Sequence, residues 1–342
     1  MTRTRSIIGI LCILLVLTPA ATVSLGPAAV PFFQVYAVIA SHTPSVPVTI
    51  TWDHATDAIV WQTRLPRIVL GLAVGATLGV SGVAFQALIR NSLAEPYVLG
   101  VSSGAGAGAA LALISFGVSS AFGVGAFAFG GAALATTAVV IIAGGGAHPL
   151  KLILSGLAVG FGAQSLTNLV IFSSGSPETN QAVMFWMLGS LSRARWSTIG
   201  IVCVAAVIVM LVLSLYGPIL DALASGDSTA RSVGVHPVRT RALLLLGVSA
   251  AVAITVSAAG GIGFVGLIIP HVMRQLVGYS HRVLVVASGL ASAVFLVWAD
   301  AFARIVFSPQ ELPIGVITGL IGAPCLALIV KTKRIKCKNK EE

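Results

Sequence analysis

Apolar residues run in long blocks along this chain, separated by short clusters of polar, glycine and proline residues. Blocks of about 20 residues match the hydrocarbon thickness of a bilayer. Delimiting them by their punctuation predicts ten spans, near 6–25, 67–89, 97–115, 121–143, 152–172, 197–216, 241–259, 262–278, 283–303 and 312–330. Lipid gives backbone amides no hydrogen-bond partner, so a span must be a helix or part of a closed barrel. Barrel strands alternate apolar and polar residues, and these blocks do not. The pattern therefore predicts an all-α polytopic membrane protein, one transmembrane domain over 1–342, with two extramembrane segments at 26–63 and 217–241. The first block, with Arg3 and Arg5 before it and Thr18-Pro19-Ala20-Ala21 at its end, has the outline of a signal peptide. With nine further blocks behind it, it reads as an uncleaved first helix.

Composition agrees with this reading. Of 342 residues, 57% are hydrophobic and only 9% charged, whereas soluble domains carry about a quarter charged residues. The net charge of +10 does not point to nucleic acid, because the basic residues are scattered between apolar runs. The exception is the tail 331–342, with Lys331, Lys333, Arg334, Lys336, Lys338 and Lys340, which reads as a topological anchor at the bilayer surface. Placing both termini in the cytoplasm puts that tail inside, along with Arg3, Arg5, Arg90, Lys151, Arg231, Arg239, Arg241, Arg274 and Arg282. Five arginines then face outward: Arg64, Arg67, Arg193, Arg195 and Arg304.

Candidate chemistry is sparse. The four cysteines, Cys12, Cys203, Cys325 and Cys337, show no CxxC pairing, so neither a disulfide framework nor a zinc site is indicated. No metal-ligand spacing such as HExxH occurs, and no cofactor is expected on the chain itself. There is no phosphate-binding loop ending in Gly-Lys-Ser/Thr, so if ATP drives this protein, another subunit binds it. Gly100-Val-Ser-Ser-Gly104 matches the nucleophile-elbow pattern around Ser102, but the most plausible histidine base, His271, lies in an apolar run with no evident acid to orient it. The acids are predicted in loops, tails or span ends, which disfavours an ion-coupled carrier with carboxylates inside the bilayer. Gly71-Leu-Ala-Val-Gly75 and Gly156-Leu-Ala-Val-Gly160 place small residues four apart, a pattern for close helix approach. Pro270 is expected to break the eighth span and free backbone groups near a pathway. Gln164 and Asn168, four apart on the fifth, face either a pathway or a neighbouring helix.

Longer motifs resemble a known family. Arg64-Leu-Pro-Arg67, Gly82, Gln86, Arg90-Asn91, Glu95-Pro96 and Leu99-Gly100-Val-Ser-Ser-Gly-Ala105 open the resemblance. Trp186-Met-Leu-Gly-Ser190, Gly226-Asp-Ser-Thr-Ala230-Arg-Ser-Val-Gly234, Gly263-Phe-Val-Gly-Leu267 with Pro270-His271 and Arg274, Asp300 to Arg304, and Glu311-Leu-Pro-Ile-Gly315 with Gly322-Ala-Pro324 follow in order. Over residues 60 to 330 the chain resembles the FecCD permeases of iron-siderophore, haem and cobalamin ABC importers. Val233 replaces the family's usual leucine, Ser92 a common proline, and Glu95 the usual aspartate.

The resemblance implies a type II ABC importer permease of ten helices in a bacterial inner membrane. It pairs with a second copy or paralogue, two ATPase subunits and an extracytoplasmic substrate-binding protein. It is expected to be no enzyme itself. It further implies that Arg64, Arg67 and Arg304 dock glutamates of the binding protein, and that Gly226, Asp227, Ala230, Arg231 and Gly234 form the segment that couples to the ATPase. Bidentate guanidinium–carboxylate pairing suits docking, and Pro66 suits a first helical position that sets Arg64 and Arg67 three apart. The local alternative is that the arginines anchor at headgroups or, for Arg304, pair with Asp300 four residues earlier. Iron-siderophore is the first expectation for cargo, then haem, then cobalamin; the alternative function is an ion-coupled secondary transporter acting alone.

Overall fold

The computed structural model describes residues 2–26, 30–42, 49–145, 148–308 and 310–338, with the side chains of 2, 330 and 332–338 left aside. Lys340 and the side chains of Lys333, Arg334, Lys336 and Lys338 therefore lie outside the described residues. Helix is the regular structure formed by the described residues, with no strand among them. In chain order the helices are α1 (Thr2–Val23), α2 (Phe32–Ser41), α3 (His54–Asp57), α4 (Leu65–Ile89), α5 (Val101–Ala110), α6 (Ala121–Ile142), α7 (Pro149–Ser173), α8 (Pro177–Met187), α9 (Trp196–Leu215), α10 (Gly217–Ser225), α11 (Asp227–Ser232), α12 (Pro237–Ala259), α13 (Val265–Val277), α14 (His281–Ile305) and α15 (Ile314–Lys338).

Every predicted span contains a helix, but two of the helices are short. Val101–Ser115 and Val265–Val277 are too short to cross a membrane alone, while seven others are long and apolar enough; α15 is apolar over Ile314–Ile329 and continues to Lys338. Within the predicted outer segment 26–63, α2 is a further apolar helix. The second span also begins well before its predicted start. α3 is capped by Asp53, whose carboxylate accepts the Thr56 N–H at 2.9 Å. A π-helical stretch, Ala58–Arg64, then joins α3 to α4 as one continuous helix. Pro66 consequently lies inside this helix rather than at its start. In the π register the N–H of Leu65 reaches back to the carbonyl of Val60, and such bulges are a familiar way to fit an irregular residue into a helix.

α4 is the centre of the bundle. Nearly all its side chains are buried, which suits a helix apolar on every side. Its most extensive partner is α14, followed among the helix pairs by α5 with α6. A β-carbon on Gly75 would collide with the carbonyl oxygen of Ser292, and one on Gly79 with the Ser292 hydroxyl, so these glycines are what let α4 and α14 touch backbone to backbone. Gly156, in the second glycine repeat, lets α7 approach the carbonyl of Val98 in the same way. The rim helices α1, α7 and α9 instead turn Leu14, Leu154, Phe161, Leu169, Val204 and Leu211 outward, where lipid rather than water is the compatible solvent.

Pro270 does not break α13, which runs through it; the break comes earlier, at 260–264. Gly260 (φ 71°) and Phe264 (φ 68°) both adopt left-handed backbone there. Gly82 of α4 abuts Gly266 so closely that no β-carbon fits between them, placing the start of α13 at mid-height of α4. The connection 95–100 rises to the same level, since Pro96 also borders Gly266. The two non-helical stretches satisfy each other. Tyr97 donates its hydroxyl to the Ile262 carbonyl at 3.1 Å and accepts the Ile262 N–H at 3.0 Å, while the Phe264 N–H points to the Glu95 carboxylate at 3.4 Å. Irregular backbone at membrane depth is tolerated only when paired within the protein in this manner.

Candidate functional site

Two ends of the bundle carry the polar groups. α9 runs directly into α10, and α11 leads into α12, so α10 and α11 lie at one end while the first residues of α9 and the last of α12 lie at the other.

At the α10–α11 end, Gly226 (φ 136°) links the two short helices and Gly234 (φ 79°) closes the second. Both positions need backbone that a β-carbon disfavours. Between them Ala230 is fully buried, whereas Arg231, Ser232, Val233 and Gly234 are exposed. The short helix thus seats one side on the bundle and presents the other, and the Val233 substitution falls on the presented side. Asp227 turns inward. Its carboxylate accepts from Arg241, a fully buried residue, at 2.8 Å and also from Arg90, whose Nε donates to the Leu223 carbonyl at 2.9 Å. Partial burial pushes the Asp227 carboxyl up, but the bonds from Arg241 and Arg90 outweigh it and hold its pKa below the ordinary carboxylate value. Arg90, at φ 54°, ends α4 in left-handed backbone, so the clamp joins the C-terminus of α4, the N-terminal turn of α12 and the segment itself. Asp221 of α10 meets His281 at the start of α14, with Nδ1 to Oδ1 at 2.5 Å and the His281 N–H on the same oxygen at 3.1 Å.

At the opposite end, the three arginines expected to face a soluble partner are buried, at 3–4% exposure, and engaged within the chain. Arg67 grips Asp300 through Nε and Nη2 at 2.8–3.0 Å and reaches Glu311 through Nη1 at 2.7 Å. Arg304 lies 3.3 Å from Asp300 and donates to the Leu25 carbonyl at 3.0 Å. Arg64 donates to the Val23 carbonyl at 2.8 Å. The i,i+4 pairing of Arg304 with Asp300 is present, and Asp300, 2% exposed, is the hub that ties α4 to α14, while Arg64 and Arg304 extend the cluster to the end of α1. The motif spacing made Arg64 and Arg67 conspicuous, but only their packing shows that they point inward.

Other sequence candidates separate. Gln164 and Asn168 bond to each other at 3.2 Å on the exposed side of α7, not to a neighbouring helix. Pro270 is buried in α13. Ser102 borders Gly261, while His271 faces Gln275, and no cluster of His, Cys, Asp and Glu among the described residues could hold a metal ion. Tyr97 and Glu95, which join the two half-length helices α5 and α13, were visible in the motif only as Glu95-Pro96 and carried no spacing signal of their role.

Residues 11–332 match the FecCD transport family. The chain belongs to that family. Among its relatives, the cobalamin import system permease protein BtuC of Halobacterium salinarum is 38% identical over 88% of this chain and 85% of its own length. The Fe(3+)-citrate import system permease protein YfmD of Bacillus subtilis is 35% identical over 83% and 84%. The vitamin B12 import system permease protein BtuC of Salmonella typhi is 37% identical over 81% and 85%. Among solved structures, an inward-facing one assigned to a metal-chelate type ABC transporter superposes with a TM-score of 0.83 at 30% identity, covering 96% of this chain and 99% of that one. PsaBC from Streptococcus pneumoniae, in complex with Fab, shares the fold alone, with a TM-score of 0.56 at 17% identity over 78% and 90%. The FecCD chain is thus a multi-pass membrane permease with the type II ABC importer fold.

Proposed function

We propose that this chain is the translocation subunit of an ATP-driven importer that carries a metal chelate into a bacterial cytoplasm. The observation that carries the reading is the α10–α11 segment: a short helix locked to the bundle by the Arg90–Asp227–Arg241 clamp, with its other side presented. That is the form required of a lever worked by a separate ATPase subunit. Family membership and the likeness to permeases of cobalamin and Fe(3+)-citrate systems support the same reading. Two permease chains, two ATPase subunits and a substrate-binding protein make the complete importer, with both termini of this chain on the cytoplasmic side of the inner membrane. The cargo is a large metal chelate, iron-siderophore, haem or cobalamin, chosen by the binding protein; Pro270, Gln164 and Asn168 belong to the pathway it takes. ATP binds to the partners and no cofactor to this chain.

Docking of the binding protein falls at the opposite end. Because Arg64, Arg67 and Arg304 are engaged inside, their contribution is to fix the ends of α1, α4 and α14 on which the partner lands. Arg64→Lys keeps the charge but loses the planar fork, and should weaken binding-protein association while membrane insertion is retained; unchanged association places docking elsewhere. An ion-coupled carrier acting alone is disfavoured by Asp300, whose carboxylate is held by two arginines rather than free to cycle a cation. The deciding experiment reconstitutes the permease in vesicles with its ATPase and loaded binding protein. Uptake of the chelate should require ATP hydrolysis, and uptake that persists without the ATPase refutes the reading.

A further inference from the structure

Arg193 and Arg195 take no part in either cluster. Both are exposed, and among the described residues neither guanidinium makes an ion pair or a hydrogen bond. They stand over a groove of about 880 Å³ between α6, α9 and α12, within the ~300–1,000 Å³ range of small-molecule sites. Its rim is polar, with Ser120 and Ser192 beside the two arginines, and its wall is apolar, with Phe122, Phe129, Ile201 and Ile254.

The depth of the groove is marked independently. Trp196, next to Arg195, donates its indole N–H to the Trp61 carbonyl at 2.8 Å and packs on the Trp61 ring, which stacks on His42 with centroids 4.1 Å apart. Amphipathic rings of this kind collect at the headgroup level. The groove therefore has two cations at the headgroup boundary and hydrocarbon-compatible walls running inward from it along α6 and α9. A soluble anion would gain nothing from the wall, and an uncharged acyl chain nothing from the rim.

We infer that this groove holds an anionic phospholipid, with the phosphate between Arg193 and Arg195 and an acyl chain along Phe129, Ile201 and Ile254. The Ser120 hydroxyl, which already accepts the Gly123 N–H at 3.2 Å, retains its proton for a phosphate oxygen. The first turn of α6, a helix of 22 residues, adds the positive end of its dipole. The bound lipid fills the space between α6, α9 and α12 where protein does not.

The test uses the full-length permease in mild detergent, with native mass spectrometry counting retained lipid after addition of phosphatidylglycerol or phosphatidylcholine. The wild type should prefer phosphatidylglycerol. Each basic side chain at a membrane surface contributes about fivefold to anionic-lipid affinity, so Arg193→Gln with Arg195→Gln should weaken retention about thirtyfold and abolish the preference. Ala126 is exposed and lines the groove; Ala126→Trp fills the wall, leaves both arginines and should also expel the lipid. Equal retention of the two lipids by the wild type overturns the inference, as does unchanged retention in the double variant. Displacement by millimolar inorganic phosphate alone overturns it too, since it denies the acyl chain a role. Loss of binding-protein association by the double variant with lipid retention intact reassigns the arginines to docking and overturns it as well.

Discussion

Replacing Asp300 by asparagine preserves the shape of the hub and removes its charge. Asp300 is 2% exposed and receives Arg67 at 2.8–3.0 Å on both oxygens, with Arg304 at 3.3 Å. Both guanidiniums are themselves 3–4% exposed, so solvent cannot screen the charges that the substitution leaves behind. Removing one partner of such a buried pair costs about 3–5 kcal/mol, because an uncompensated ion remains inside. Arg67 retains Glu311 and Arg304 the carbonyl of Leu25, which favours the lower half of that range. Thermal unfolding in detergent, followed by loss of the folded species in size-exclusion chromatography, reads the effect for Asp300→Asn, Arg67→Met and the double variant. The singles should each be strongly destabilised. The double, with the stranded cation gone as well, should be clearly more stable than the sum of the two losses predicts. Strict additivity, or an Asp300→Asn loss below about 1 kcal/mol, would show that the cluster behaves as a solvated surface pair and refute its role as a buried hub.

Other expectations follow from the two non-helical stretches, the glycine contacts and the clamp. Tyr97→Phe deletes the hydroxyl that serves both the carbonyl and the N–H of Ile262 and should cost about 1–3 kcal/mol per group left unpaired, visible as a lowered unfolding midpoint. Gly82→Ala drives a methyl into the Gly266 backbone, so folded yield should fall sharply, whereas Gly162→Ala, with open space around it, should be neutral. Asp227→Asn should leave insertion intact but reduce transport per ATP hydrolysed in the reconstituted importer. Because the Asp227 pKa is depressed in the folded chain, the clamp is fully present above the ordinary carboxylate pKa and is lost only as pH falls through the lower folded value; transport should therefore show no loss from this group between neutral pH and about pH 5.

Each of the ten stretches marked by hydropathy contains a helix, because a buried or lipid-facing helix must be apolar along its whole length, but the apolar helix α2 was not among them. It could not show that α5 and α13 begin at mid-height: their apolar runs continue into the non-helical residues before them, and an extended apolar segment has the same hydropathy as a helical one. Pro270 misled for a related reason. A proline inside a helix costs one hydrogen bond, whereas Gly260 and Phe264 leave helical backbone altogether, and nothing in the residue type of Phe264 announces a left-handed φ. The early start of α4 was hidden by Pro66, which is tolerated through a π register that no pattern of side chains encodes. The segment 226–234 stood out in the sequence only through its resemblance to a family motif, and the structure shows why two of its residues are glycines, since Gly226 and Gly234 both take positive φ. The arginines were legible as unusual, but their partners lie 233 residues along the chain for Arg67 and Asp300, a separation that motif spacing cannot span.

α14 is fastened at both ends and flush along its side. At one end His281 holds Asp221 of α10, at the other Asp300 and Arg304 hold α4 and α1, and between them Gly75 and Gly79 leave no slack against α4. Its 25 residues make a rod about 37 Å long. On the proposed coupling role, a push delivered to α10 has a stiff path along that length, and its expected outlet is displacement of α4 and α1 at the far end, with α14 acting as a pushrod between the two membrane faces.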